Sequence, residues 1–336
     1  MTNRFETLID QHREKIFEPI RQNIPTGYPE KHYEMVSDYP QRQGKYIRPG
    51  LVLLSTKLFG GNIENAIITA AAMQCSEDWI LIHDDIEDQS EVRRNEPTLH
   101  KKYGLEHALN AGDTLHMVMW KILMANRTVL GYEKTFELFD EMNAFLLTTA
   151  EGQYLELSWI KDKNLTLSEE DYYRMVDRKT GWYTIIGPLR LGARIANVSD
   201  RTLEQLVKFG IPLGRAFQIH DDWLNIYGKN IGKESYGDIF EGKRTLLLIH
   251  TLNNANEKER EFIKKIYTLD RKDKTQEMVD EIRDIMNKYS TKEEIRKKTE
   301  NYATESLKEL EKIETKDNEA KEILKDAIDY IVNRGL

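Results

Sequence analysis

Apolar residues recur along this chain at helical rather than strand spacing. Ala320, Ile323, Leu324, Ala327, Ile328 and Ile331 follow an i, i+3, i+4, i+7 rule, and Gly335 ends the run. That pattern predicts an amphipathic helix with its apolar stripe against a core. From Ile67 to Ile82, by contrast, Ala70, Ala71, Met73 and Trp79 sit among small and apolar neighbours. Such a helix is apolar nearly all round and belongs at the centre of a bundle. Alternating β-branched runs are scarce and prolines number only 8. Breaks are expected at Tyr28-Pro29, Gly60-Gly61-Asn62, Gly131, Lys161 to Asn164, Gly187-Pro188, Asn197 to Asp200, Gly228 to Gly237 and Asn253 to Asn256. Ser168, followed by Glu169, Glu170 and Asp171, and Ser199-Asp200 read as helix starts, a side-chain cap with acids in the first turn. The expectation is one all-α domain over residues 1–336, built of ten or more helices with short connections.

Composition narrows the classes. Hydrophobic residues make up 40% and charged residues 32% of 336 positions, the balance of a globular protein with a sizeable core. A net charge of −8 argues against nucleic acid as the main partner, because phosphate backbones select basic surfaces. Cys75 is the only cysteine, so no internal disulfide is possible. The start of the sequence is polar, and no apolar run approaches the ~18 residues of a membrane span. The expected location is the cytoplasm.

One short pattern occurs twice: Ile82-His83-Asp84-Asp85 returns as Ile219-His220-Asp221-Asp222. Acidic pairs beside apolar helical stretches are costly to bury unless cations neutralise them. In the first copy Asp84 and Asp88 are i and i+4, so both carboxylates leave one face of a helix a turn apart. Hard oxygen ligands used one or two at a time, with phosphates completing the shell, suit Mg²⁺. Lys45, Arg48, Arg93, Arg94, Lys179, Lys233 and Lys243 surround the two copies along the chain. Any one of these reads as a surface charge; with two acid clusters, they read as the phosphate-holding half of a diphosphate site.

These residues resemble the trans (E)-isoprenyl diphosphate synthases, which include farnesyl and geranylgeranyl diphosphate synthases. The resemblance rests on Asp84-Asp85-Ile86-Glu87-Asp88, Arg93-Arg94, Pro97-Thr98-Leu99-His100, Gly112-Asp113, then Gly214, Phe217, Gln218, Asp221 and Asp222, and finally Gly232-Lys233, Asp238, Gly242-Lys243 and Thr245, in consistent order. The charge density that rises from about Glu257 onward suggests outer helices over about 257–336, and the resemblance covers a motif-bearing core at about 44–250. It implies a helical bundle around a deep central cavity, as a homodimer, that condenses isopentenyl diphosphate with an allylic diphosphate. Three Mg²⁺ ions are implied between the motifs, held by Asp84, Asp88 and Asp221, with Asp85 and Asp222 behind them. Lys45, Arg48 and Arg94 are expected to hold isopentenyl diphosphate. Arg93, Lys179, Lys233 and Lys243 are expected on the allylic diphosphate, with Thr180 and Gln218 flanking the carbocation. Trp79 and Ile80 are expected at the floor of the elongation cavity, where a bulky residue stops the product at C15 to C20.

Three positions depart from the family pattern. Asn225 stands where an aspartate is usual, Asn95 where glycine is common, and Glu77 where the family carries His or Gln. An anionic Glu77 repels a diphosphate unless it is protonated, paired with a cation or turned away; pairing with a neighbouring Lys or Arg is the expectation. The rival readings are a phosphohydrolase using His83-Asp84 and His220-Asp221 as metal ligands, and a regulatory subunit of a heteromeric synthase. The first leaves the basic residues unexplained, and such subunits typically lose the acids present here. A P-loop is excluded by spacing, with Glu234 where Ser or Thr is needed.

Overall fold

The computed structural model describes residues 3–228 and 235–334, and it is almost wholly helical. Helices α1 (Arg4–Asn23), α2 (Glu30–Arg42) and α3 (Ile47–Leu58) lead into α4 (Ile67–Glu87). The short α5 (Leu99–Tyr103) precedes the long pair α6 (Leu105–Met124) and α7 (Gly131–Lys161). Next come α8 (Glu169–Val176), α9 (Gly187–Ile195) and α10 (Asp200–Tyr227). The chain closes with α11 (Gly237–Glu241), α12 (Leu246–Asn254), α13 (Glu257–Tyr267), α14 (Gln276–Lys288), α15 (Thr291–Leu310) and α16 (Asn318–Asn333).

The apolar helix read from Ile67 onward is central, packing against α1, α2, α3 and α6. Its run Thr69 to Cys75 is fully buried, and the small side chains of Ala70, Ala71 and Ala72 let neighbouring backbones approach. Both expected helix starts hold. Ser168 forms a capping box with Asp171, and Ser199 accepts from the Thr202 amide. The stripe read near the C-terminus is the buried face of α16, which packs on α1 and α3.

The charge-dense part of the chain from about Glu257 onward is amphipathic rather than simply peripheral. Ile263, Ile266, Val279, Ile282, Met286 and Ile295 form a second apolar cluster with Tyr172, Val176, Ile219 and Trp223. That cluster stiffens the part of α10 that carries the second acid pair.

One expected break is not a break. Gly187-Pro188 lies inside a continuous helical path, because residues Asp177–Ile186 form π-helical turns that run directly into α9. The Gly187 amide bonds five residues back, to the Trp182 carbonyl, and Pro188 falls in the first turn of α9. The small strands missed by the helical reading are Val92–Arg93 and Glu96–Pro97, a two-residue hairpin. Its turn residues Arg94 and Asn95 both have positive φ, 54° and 63°, a region asparagine tolerates, so Asn95 serves where glycine is usual. Among the described residues no helix is long and apolar enough to cross a membrane.

Candidate active site

The last turns of α4 and of α10 bring Asp84 and Asp221 to the wall of one cavity of about 280 Å³. Arg93, Lys179 and Lys243 line its polar end, together with Glu77, Arg48, Thr180 and Gln218. Trp79, Ile80, Leu146 and Phe217 line its apolar part.

The sequence echo extends into three dimensions. Asp85 is fully buried and accepts from the Tyr39 hydroxyl at 2.6 Å and from Arg93 Nε at 2.9 Å. Asp222 is buried too and accepts from the Tyr172 hydroxyl at 2.8 Å and from Gln218 Nε2 at 2.7 Å. Each copy therefore places its first aspartate at the cavity and fixes its second by a tyrosine. Tyr39 and Tyr172 carry no local motif, and sequence reasoning missed them.

Carboxylates and cations alternate around the polar end. Lys179 Nζ lies 2.5 Å from Glu156 and 3.5 Å from Asp84. Lys243 Nζ lies 2.8 Å from Asp88 and 3.0 Å from Glu241. Arg93 reaches Asp84 at 3.5 Å, and Arg334 reaches Asp221 at 3.0 Å. Burial pushes the Asp88 carboxyl up to about 7 against the pull of Lys243, with the charges of Asp84 and Glu241 adding to the rise. Burial likewise pushes Asp222 up to about 7, against its hydrogen bonds from Gln218 and Tyr172. Glu156, Glu241 and Arg334 were not foreseen, since each meets its partner only across the fold.

Lys179 and Thr180 sit on the π-helical turns, squeezed between α7 and α10. A Cβ on Gly152 would lie 2.4 Å from the Lys179 amide nitrogen, and one on Gly214 would lie 2.5 Å from Gly181 Cα. Only glycine at those positions lets both long helices close on the segment. Thr180 then donates to Gln218 Oε1 at 2.6 Å, and Gln218 is oriented in turn by Asp222.

The sequence profile described as polyprenyl synthetase matches residues 29–286 of this chain. The chain belongs to that family. A geranylgeranyl diphosphate synthase from Sulfolobus acidocaldarius is 33% identical over 290 residues, covering 86% of this chain and 85% of its own. A short chain isoprenyl diphosphate synthase from Methanothermobacter thermautotrophicus is 31% identical over 329 residues, covering 97% and 98%. Among solved structures, the geranylgeranyl pyrophosphate synthetase from Pyrococcus horikoshii superposes with a TM-score of 0.86 at 29% identity, covering 98% of each chain.

This polyprenyl synthetase keeps its departures from the family pattern in defined places. Asn225 Oδ1 accepts from the Asp238 amide at 3.0 Å, so the side chain anchors the start of α11. Glu77 pairs with Arg48 at 3.1 Å and with Arg94 at 3.6 Å, the cationic pairing expected of it. Arg94 also meets Asp78, which is fully buried and pushed up to about 6 by that burial. Lys45 stays exposed, on the turn whose Gly44 packs against Arg94 and Glu77. Gly232 and Lys233 lie outside the described residues.

The donor set suits a hard divalent cation. Both Asp88 oxygens are buried and accept no hydrogen bond from the described residues, the contact to Lys243 being an ion pair without hydrogen-bond geometry. No group of three or more His, Cys, Asp or Glu converges on one point among the described residues. Mg²⁺ would therefore be held by Asp84, Asp88 and Asp221 one or two at a time, with phosphate oxygens completing its shell. In the second His-Asp doublet the histidine is engaged elsewhere. His220 is buried with Nε2 against the Arg334 carbonyl at 2.8 Å, and burial pushes its imidazolium down to about 4.

Proposed function

We propose that this enzyme joins isopentenyl diphosphate head to tail to an allylic diphosphate, dimethylallyl, geranyl or farnesyl, and releases a C15 to C20 prenyl diphosphate. The observation that carries the reading is one cavity shared by Asp84 and Asp221 and lined by both charged and apolar side chains. Bound Mg²⁺ supplies charge neutralisation of the departing diphosphate. Lys179, Lys243 and Arg93 direct their cations at the same oxygens, so negative charge is met as it develops. The allylic C–O bond breaks with its electron pair going to the diphosphate. The double bond of isopentenyl diphosphate then attacks the allylic carbon, and a proton passes to a diphosphate oxygen. Thr180, held by Gln218, keeps an oxygen beside the cationic carbon. Leu146, Phe217 and Trp79 exclude water, which would otherwise capture that carbon.

Arg48, Arg94 and Lys45 hold the diphosphate of isopentenyl diphosphate in this reading, and Trp79 with Ile80 limits the tail. Relatives of similar identity include a geranylfarnesyl diphosphate synthase from Aeropyrum pernix, so kinship does not rank product length; the bulk of Trp79 supports the shorter range. A homodimer is part of the proposal. Met117 on α6 and Phe136, Leu147 and Tyr154 on α7 expose 61%, 54%, 64% and 70% of their surface, which is apolar area that a second copy would cover. The lone cysteine, Cys75, is buried, consistent with a cytoplasmic protein. The test is the purified chain with labelled isopentenyl diphosphate, each allylic primer and Mg²⁺, followed by chromatography. Phosphate release without isopentenyl diphosphate, and no elongated product, would overturn the reading.

A further inference from the structure

The two arginines assigned to isopentenyl diphosphate are already occupied by carboxylates of the chain itself. Glu77 and Asp78 are consecutive on α4, and they divide the task. Asp78 is fully buried, accepts from Arg94 Nη1 at 3.0 Å and also meets Gln74, so it belongs to the framework. Glu77 lines the cavity, facing Arg48 Nη1 at 3.1 Å and Arg94 Nη2 at 3.6 Å. Arg48 is fixed independently, by Thr184 Oγ1 at 2.9 Å and by the Tyr183 ring, whose centroid is 4.5 Å from its Cζ.

Among the described residues, Arg48 Nε, Arg94 Nη2 and Glu77 Oε2 are buried here without a hydrogen bond. The guanidinium groups thus hold Glu77 by charge alone, with Arg94 Nη2 also 3.0 Å from Asp78 Oδ1, and retain donors that Glu77 does not satisfy. Phosphate oxygens use the same fork of N–H donors as a carboxylate and can reach more of them. A diphosphate entering here meets a like charge at contact range and must displace it. The backbone is tight on the other side, since a Cβ on Gly44 would lie 2.8 Å from Arg94 Nη2 and 3.3 Å from Glu77 Oε1. Displacement of Glu77 is therefore toward the cavity.

Resting on the reading above, we propose that Glu77 is an internal competitor for Arg48 and Arg94, an anion that weakens capture of isopentenyl diphosphate and sets its affinity. Removing the charge while keeping the shape isolates this effect. Glu77→Gln is expected to tighten binding of isopentenyl diphosphate at least ~10-fold, about 1.4 kcal/mol. Its KM is expected to fall in parallel, with the KM for the allylic diphosphate unchanged. The measurements are isothermal titration with isopentenyl diphosphate in Mg²⁺, and steady-state kinetics with each substrate varied. Thermal denaturation checks the fold, and Glu77→Ala is read by the same criteria should the glutamine variant not fold. Equal or weaker binding by the variant would make Glu77 a positioning residue for the arginines and overturn the competition. Product formation by the native enzyme is scored separately. Its absence would sink the proposed function, whereas product without tighter variant binding would sink only the competition.

Discussion

Truncating Trp79 should lengthen the product by a definite amount. The indole stands at the apolar end of the cavity, half-buried, with Nε1 3.3 Å from Met119 Sδ. Behind it the rings of His116, Trp120 and Phe139 follow in a ladder, with successive centroids 4.7, 6.0 and 4.7 Å apart. An indole is bulkier than one isoprene unit, so Trp79→Ala opens room for about one more. Burying a further five-carbon unit contributes roughly 4 kcal/mol, at about 0.8 kcal/mol per carbon, enough to favour another condensation over release. The ladder then stops the tail again. A fully buried Trp→Ala change costs about 3–5 kcal/mol, and the half-exposed Trp79 should sit at or below the low end, so the variant should fold. The assay extends farnesyl diphosphate with labelled isopentenyl diphosphate, dephosphorylates the products and resolves them by reversed-phase chromatography. Trp79→Ala should move the main product up by one five-carbon step, and Trp79→Ala with Trp120→Ala by more, while Trp79→Phe leaves it in place. A folded Trp79→Ala enzyme with an unchanged product distribution would refute the floor.

Three further outcomes follow from the geometry. Tyr39→Phe and Tyr172→Phe each remove a hydroxyl from a buried aspartate, and each should cost about 1.5–3 kcal/mol in chemical denaturation, with loss of activity beyond that from unfolding; equal stability to the native protein would contradict the tyrosine–aspartate pairing. Gly152→Ala drives a methyl into the Lys179 backbone and should lower kcat more than it raises either KM, because it shifts the group proposed to act on the departing diphosphate; native kinetics would show that α7 can yield there. Lys274 is buried, donates to the carbonyls of Ile239 and Phe240 at 2.8 Å each, and burial pushes its ammonium down from 10.5 to about 8. The unfolded chain binds the extra proton between those values, so native stability should rise relative to Lys274→Met as pH goes from 8 toward 10, by at most about 3 kcal/mol. Parallel stability curves for the two proteins would exclude that assignment.

Much of the chemistry was legible because it is local. An i, i+4 pair of aspartates on an apolar helix and the return of Ile-His-Asp-Asp at 219–222 need no tertiary information, and a side-chain cap at Ser168 follows from four consecutive residues. The all-helical architecture followed from spacing for the same reason. The break expected at Gly187-Pro188 failed because glycine and proline punctuate a regular α-helix, whereas π-helical turns precede this pair. That register is imposed by α7 and α10 closing on Gly152 and Gly214, a long-range constraint without a local signature.

By itself the sequence determined which carboxylates and cations exist, their helical phase and the apolar face beneath them, since these depend on neighbours within a turn or two. Only the tertiary structure decided which cation meets which acid: Lys179 with Glu156, Lys243 with Asp88, Arg334 with Asp221, and Glu77 with Arg48. Charge pairing depends on separation through space, and residues many helical turns apart along the chain become neighbours only when helices pack.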